Sequence, residues 1–506
     1  MKCPTATICS LLALLSMAWT AKQDPSILII GAGVAGLSTA RRLMEAGYSN
    51  VKILEAEPRI GGRINSVFFG DAFVDLGARW CHGQNGNVVY QMVEGLDLLG
   101  HTEIPFKMYH SSRTVIDEEF AMGLMEAMDG VYSVDGDYPD RYISIGDFCE
   151  DRFNSTIHEK YGKDEKKLQI AKEAMYYFEM EVNSNEGSST WFESTAQSDY
   201  LECEGDLVQH WKGKGYKTFL DVLMKKYPEP KNQLPFEDKI LLSKEVSEIT
   251  WNESRPRNSI AAHCSDGSTY TADHLVFTPS LGVLKERMHS MFVPKLPEKK
   301  RMAIQNMGYG LVMKVILHYP EIWWKNDCNG FNLIWSDEDR KRAINEFPTG
   351  PNLNGRSWVT YMHYSLAVEN NPKVLVAWFT GKLVPEIELL SNDTLARGIT
   401  YVHEKFMGHI YNVTLPDKLI HSDWQSNPHF RGTYSYQTPA AKKGKKATSA
   451  QEDLADPIRT AQGRLILQFA GEGTHPHHYS NVHGAVETGF REAERIISYY
   501  GKTTNI

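Results

Sequence analysis

The first strand-like pattern along the chain is Ser26 to Ile30 (SILII), a short apolar run suited to burial on both faces of a parallel sheet. After it, Leu37 to Ala46 carries Ala, Leu and Met at helical spacing, and Val51 to Leu54 forms a second strand ending in Glu55. Further on, Ser259 to Cys264 alternates as a strand does and runs into a turn at Ser265-Asp266-Gly267-Ser268. Asn306 to Tyr319 (NMGYGLVMKVILHY) is an apolar strand pattern broken by one lysine, Lys314. Two long stretches contrast. His101 to Lys214 is polar and helix-like, whereas Gly308 to Trp378 is aromatic-rich and reads as strands and loops. Together these predict an α/β chain without internal repeats. Its 506 residues exceed the roughly 250–300 at which one hydrophobic core stops growing, so two domains are expected.

Between the first strand and the first helix lies Gly31-Ala32-Gly33-Val34-Ala35-Gly36, and the acidic Glu55 follows about 20 positions on. A lone GxGxxG says little, but a strand before it and a helix after it supply the context of a dinucleotide site. Gly31 permits the tight turn, Gly33 lets backbone approach a pyrophosphate, and Gly36 lets helix and strand pack closely. Gly31, Gly33, Ala35 and Gly36 are therefore candidate cofactor contacts, with Glu55 placed to accept hydrogen bonds from a ribose. The helix N-terminus would face the phosphate charge.

Glu55 to Arg63 (EAEPRIGGR) resembles the extended motif of the flavin amine oxidase family, in which twin glycines and Arg63 approach the diphosphate. The likeness continues in family order through Asp75 to Gly83 (DLGARWCHG), His274 to Lys285, Phe469 to His475 (FAGEGTH) and Tyr479 to Arg491. It implies a Rossmann-type FAD-binding domain, discontinuous over residues 25–100, 215–290 and 415–500. An α+β substrate-binding domain would occupy 101–214 and 291–414. It also implies that Gly77, Ala78, Arg79, Trp80 and Trp424 lie near FAD, and that Glu472 holds a ribityl or phosphate group. Val482 would offer its N–H to the flavin, and Val246 would pack on adenine unless it is an ordinary strand valine. With no cysteine in the C-terminal motifs, FAD is expected to be non-covalent.

The resemblance is nearest to the animal spermine and N-acetylpolyamine oxidases, and implies an enzyme that takes a hydride equivalent from the carbon beside a neutral amine, with O2 as final acceptor and hydrogen peroxide as product. Lys314, costly to bury without a reason, matches the lysine that holds a water beside the flavin and assists the O2 step. His82 would bind the substrate amine or take its proton. Tyr434, Tyr479 and Asn481 would shape the amine pocket, and Asp423 to Tyr436 (DWQSNPHFRGTYSY) would supply its other wall. Asp199 and Glu202 are candidates for distal ammonium groups, or are ordinary surface acids. Arg79 departs from the family pattern. Beside His82 it would repel a polyamine, pair with a local acid, or meet the carboxylate of an amino-acid substrate. An amino-acid oxidase and a non-catalytic flavoprotein are thus the alternatives.

The remaining features bear on place and partners. A net charge of −9 argues against a nucleic-acid partner and allows a cationic substrate. The partners expected are a small-molecule amine and O2, with no membrane span and no indicated oligomeric state. Residues 1–20, with Lys2 and the apolar run Ile8 to Ala18, have the layout of a secretory signal, and Asn154, Asn252, Asn392 and Asn412 head glycosylation sequons. A secreted or lumenal protein is expected on that basis. Cys81, Cys149, Cys203, Cys264 and Cys328 include no CxxC. The cluster His475-Pro476-His477-His478 lacks a neighbouring carboxylate or thiolate in the sequence, so no metal is expected. Lys442 to Lys446 reads as a solvated loop.

Overall fold

A computed structural model describes residues 24–103, 107–132, 143–325, 329–441 and 448–501. The apolar run of residues 1–20, Cys328 and the lysine cluster at 442–446 lie outside the described residues. The fold is mixed α/β with several sheets.

Its first layer is a six-stranded sheet. Ile240–Leu241, Val51–Leu54, Ile27–Ile30, His274–Phe277 and Leu465–Phe469 pair side by side in parallel, and Ile458–Arg459 closes the edge antiparallel. Three widely separated stretches of chain therefore share one sheet. Ile27–Ile30 is buried at every position because each face is covered. Ile27 and Ile29 face a core with the helices, while Leu28 and Ile30 face a core with the sheet that contains Val246–Trp251 and Ile260–Cys264. Such period-two alternation between two cores is why the run reads as unbroken apolar sequence. The turn at residues 265–268 joins Ile260–Cys264 to Thr269–Ala272 as an antiparallel hairpin.

On the helical side, Val34–Glu45 lies against the last helix, Val482–Tyr499. Gly489 allows that approach, since a Cβ there would fall 2.3 Å from the Ala35 carbonyl oxygen. The Thr39 hydroxyl donates to the Gly489 carbonyl at 3.1 Å, tying the two helices where they touch.

The second body is a seven-stranded sheet in the order Lys418–His421, Val312–His318, Asn371–Thr380, Met362–Val368, Gly330–Ile334, Met108–His110 and Thr114–Val115. Val312–His318 is buried along its whole length and paired on both edges, so Lys314 belongs to an interior strand. The polar stretch after His101 supplies three long helices, Glu118–Tyr132, Ile145–Tyr161 and Glu165–Glu186, which share a core containing Phe148, Phe153 and Phe178. Ser144 and Asp147 form a reciprocal cap at the second of these, and Asp164 caps the third.

Candidate active site

One cavity of about 760 Å³ runs from the glycine turn after the first strand to the aromatic residues before the last helix. At its first end, Gly31 has φ +100°, and a Cβ there would lie 2.5 Å from Thr278 Oγ1. Only glycine suits that position. Gly33 and Gly62 face each other across the turn, so that a Cβ on Gly62 would fall 3.2 Å from the Gly33 Cα. Arg59 holds the second glycine loop by donating to the Gly62 carbonyl at 2.9 Å. Gly36 does not line the cavity. It packs behind it, where a Cβ would meet the Gly31 oxygen at 2.0 Å.

Glu55 is buried, and its two oxygens accept from the backbone N–H groups of Ala32 at 2.6 Å and Glu57 at 2.8 Å. Burial raises its pKa, and these two hydrogen bonds oppose the rise. Each oxygen retains a second lone pair for a ribose hydroxyl. Arg63 Nη1 donates to the Thr433 carbonyl at 2.7 Å and to Glu472 Oε1 at 2.8 Å. The other Glu472 oxygen accepts from the Ser435 hydroxyl at 2.5 Å and from the Ser480 N–H at 2.9 Å. Ala35, Gly77, Ala78, Val246 and Trp424 also line this cavity, and the Trp424 indole donates to the Leu76 carbonyl at 3.1 Å. Turn backbone at a helix start, an available carboxylate and side-chain room withheld by facing glycines fit the adenosine diphosphate part of FAD.

Lys314 lines the same cavity. It is 6% exposed, and its ammonium donates to the Asp75 carbonyl at 3.1 Å and to the Gly77 carbonyl. Its Nζ also sits 4.8 Å from the centre of the Trp378 ring. Trp378 stacks on Trp80 at 5.7 Å, and the Arg79 guanidinium lies 5.0 Å from the Trp80 ring. Burial first, then the nearby charge of Arg79, lowers the Lys314 pKa, against the pull of the Asp75 carboxylate. Arg79 lines the cavity but is engaged: Nη2 donates to both Glu369 oxygens at 3.1 Å, while Nη1 is buried without a hydrogen bond. Of the three roles open to it in the sequence, the structure shows pairing with a local acid.

At the far end, His82 Nδ1 lies 2.6 Å from the Leu207 carbonyl oxygen. A carbonyl only accepts, so Nδ1 carries the proton and Nε2 keeps the lone pair. Burial lowers the His82 pKa and favours that neutral form. The Tyr434 hydroxyl meets the Ser184 carbonyl, and the Tyr479 hydroxyl meets Ser198. Burial raises both phenols, so both stay neutral. Asn481 donates to the Tyr200 hydroxyl at 2.8 Å and directly precedes Val482, which brings the N-terminus of the last helix to the cavity wall.

One site expectation changes. Glu202 lines the cavity, but Asp199 does not: its carboxylate accepts from Gln437 Nε2 at 3.2 Å and its N–H donates to Gln437 Oε1. The acids that join Glu202 are Glu181 and Glu186, from the last turns of the helix Glu165–Glu186. Glu181 Oε2 is buried without a hydrogen bond, 3.5 Å from His363 Nε2. Nothing in the sequence distinguished these two carboxylates from the other charges of a polar helix.

The family described as flavin containing amine oxidoreductase matches residues 34–497. The chain belongs to it. This flavin amine oxidase is similar to the human peroxisomal N(1)-acetyl-spermine/spermidine oxidase, at 27% identity over 95% of this chain and 96% of that one. It is also similar to a probable polyamine oxidase 5 of Arabidopsis thaliana, at 26% over 94% and 98%, and to protein anon-37Cs of Drosophila lebanonensis, at 27% over 95% and 89%. It is an FAD-dependent oxidoreductase acting on small-molecule amines with O2. Among the described residues no helix is long and apolar enough to cross a membrane.

The secreted location expected from the N-terminal run is overturned. The human and bovine relatives are peroxisomal by name, and the plant relatives carry no secretory designation. A short apolar run with one lysine is a weak physical signal, and the sequons have no force without it. Cys81, Cys149, Cys203 and Cys264 are all buried and unbridged.

Proposed function

We propose that this flavin amine oxidase acts on a polyamine, spermine or an N-acetylated relative, held along the cavity between His82 and the carboxylates of Glu181, Glu186 and Glu202. The observation that carries this reading is the convergence of those three acids on a cavity walled by Tyr434 and Tyr479. Carboxylates answer the charges of a polycation, and aromatic faces favour its alkylammonium groups while excluding water. A monoamine has no use for three acids. An amino acid would need a free cation for its carboxylate, and Arg79 already has Glu369.

In this reading the Rossmann-type turn at Gly31, Gly33 and Ala35, with Glu55, Arg63 and Glu472, holds FAD. Val246 and Trp424 pack against it, and Val482 offers a helix-start N–H. No cysteine lines the cavity among the described residues, and we assign FAD as non-covalent. When bound, FAD supplies the acceptor for a hydride equivalent and passes the electrons to O2. The protein's part is to present an uncharged amine: Nε2 of neutral His82 accepts the proton that a substrate ammonium must lose. Lys314, anchored on two carbonyls, orients water at the cavity wall for the O2 step.

The test is peroxide release from the FAD-loaded protein across a panel of spermine, N-acetylspermine, benzylamine and L-amino acids. Turnover confined to the polyamines is expected, rising with pH as the reacting nitrogen loses its proton. Preference for an L-amino acid would overturn the proposal.

A further inference from the structure

We infer that Cys203, His478 and His483 form a binding site for a zinc-class divalent ion at the wall of the amine pocket, which His483 itself lines. In the sequence His478 has only histidines for company. The fold brings the missing donors from elsewhere: Cys203 from the segment that carries Tyr200 and Glu202, and Glu487 from the last helix, one turn beyond His483.

The geometry is close to that of a site. One ligand atom from each of Cys203, His478 and His483 lies within 4.8 Å of the others, and the Cys203 Sγ to His483 Nε2 separation is 3.7 Å. Zn–S and Zn–N bonds of about 2.3 and 2.0 Å at tetrahedral angles place S and N roughly 3.5 Å apart. Contraction of the remaining edges by about an ångström completes the triad. As a hydrogen bond, the thiol–imidazole contact is of ordinary length for sulfur but weak, because S–H is a weak donor.

Glu487 Oε2 lies 2.8 Å from His478 Nδ1 and 2.8 Å from His475 Nε2, and the two rings stack at 4.7 Å. This carboxylate either completes the coordination or orients His478, as carboxylates commonly do behind zinc-bound histidines. Burial would raise its pKa, but its hydrogen bonds from His475 and His478 prevail and hold it down at about 2, so it is an anion. Burial also keeps His483 neutral and able to ligate. The Cys203 thiol is raised by burial, Glu487 and Glu202, and a dication reverses that balance by displacing the thiol proton to solvent. Thiol and imidazole donors select zinc-like ions over calcium or magnesium. An occupied site would pin the segment bearing Tyr200 and Glu202 to the start of the last helix.

The experiment titrates the full-length, FAD-loaded, chelator-stripped protein with Co2+, then Zn2+. The expected result is one Co2+ per chain, with tetrahedral thiolate-type absorption to the red of the flavin, release of a proton, and displacement by Zn2+. Cys203→Ser and His478→Asn should abolish the absorption and weaken Zn2+ binding by more than the roughly 10–100-fold that loss of a residue orienting a ligand costs, with FAD content unchanged. His477→Asn, an exposed neighbour outside the triad, should bind as the wild type does. Absence of the absorption in the wild type overturns the inference without reference to any variant. Equal binding by C203S and H478N, or loss in H477N, overturns it as well.

Discussion

The two ends of the cavity are built in different ways. The dinucleotide end rests on backbone: facing glycines, a helix start, and a carboxylate that follows its strand directly. The amine end rests on side chains delivered by separate elements, with Glu181 and Glu186 from one helix, Glu202 from a loop, and Tyr434 and Tyr479 from far along the chain. A diphosphate is recognised through close approach and N–H groups, which any short turn can supply if glycine permits it. A flexible cation is recognised by charges spaced along its length, which no local segment can place. The first end should therefore fail as a unit, and the second should degrade one residue at a time.

The largest effect is expected from Gly36→Val. Its Cβ would lie 2.0 Å from the Gly31 oxygen and 3.2 Å from Ile29 Cγ2, so the turn must move. A loss of about 3 kcal/mol, the upper end for overpacking, should accompany loss of flavin colour. Full FAD content in this variant would show that the turn is not the rigid cradle described. Next is Lys314→Met, in the cavity wall. Anaerobic flavin reduction by substrate should be little changed, while stopped-flow reoxidation by O2 slows about tenfold or more. Unaltered reoxidation would make Lys314 a structural lysine.

Smaller effects should follow at the amine end. Glu181→Gln and Glu202→Gln should each lower kcat/KM for a polyamine about 10- to 100-fold, from loss of a charge-assisted contact of about 1.5–3 kcal/mol. FAD content should be unaffected. Loss of FAD in either would erase the distinction between the two ends. The smallest effect concerns Arg79 and Glu369. Burial works to raise the Glu369 carboxyl, but Arg79 and Thr102 outweigh it and hold the pKa below the usual range. A depressed pKa contributes stability that is present above the unfolded value of about 4.3 and is lost as the pH falls through the folded value. Chemical denaturation should show Glu369→Gln less stable by about 1–2 kcal/mol at neutral pH, with the gap closing in acid. Arg79→Gln should lose a similar amount and keep polyamine turnover. Abolished turnover in R79Q would return Arg79 to the substrate.

What was legible in the sequence follows the same division. Gly31 to Gly36 and Glu55 could be read because the strand, turn and helix that give them meaning are contiguous. Lys314 could be read because an unaccompanied lysine in an apolar run is expensive to bury, and the interior strand Val312–His318 does bury it. Asp199 and Glu202 looked alike, three residues apart, yet only Glu202 reaches the cavity, because Gln437 engages Asp199. The N-terminal run misled because a short apolar stretch carries little information without its context.

The sequence by itself therefore carried the expectation of a dinucleotide turn, since phosphate recognition is written in adjacent backbone positions and their glycines, and its family likeness made the dinucleotide FAD. The tertiary structure alone decided which charges line the other end of the cavity. Arg79 is neutralised by Glu369, distant in sequence, and Glu181 and Glu186 are distinguished from other helix charges only by facing the cavity. Charge pairing depends on distance in space, and the chain specifies that distance only once its sheets have packed.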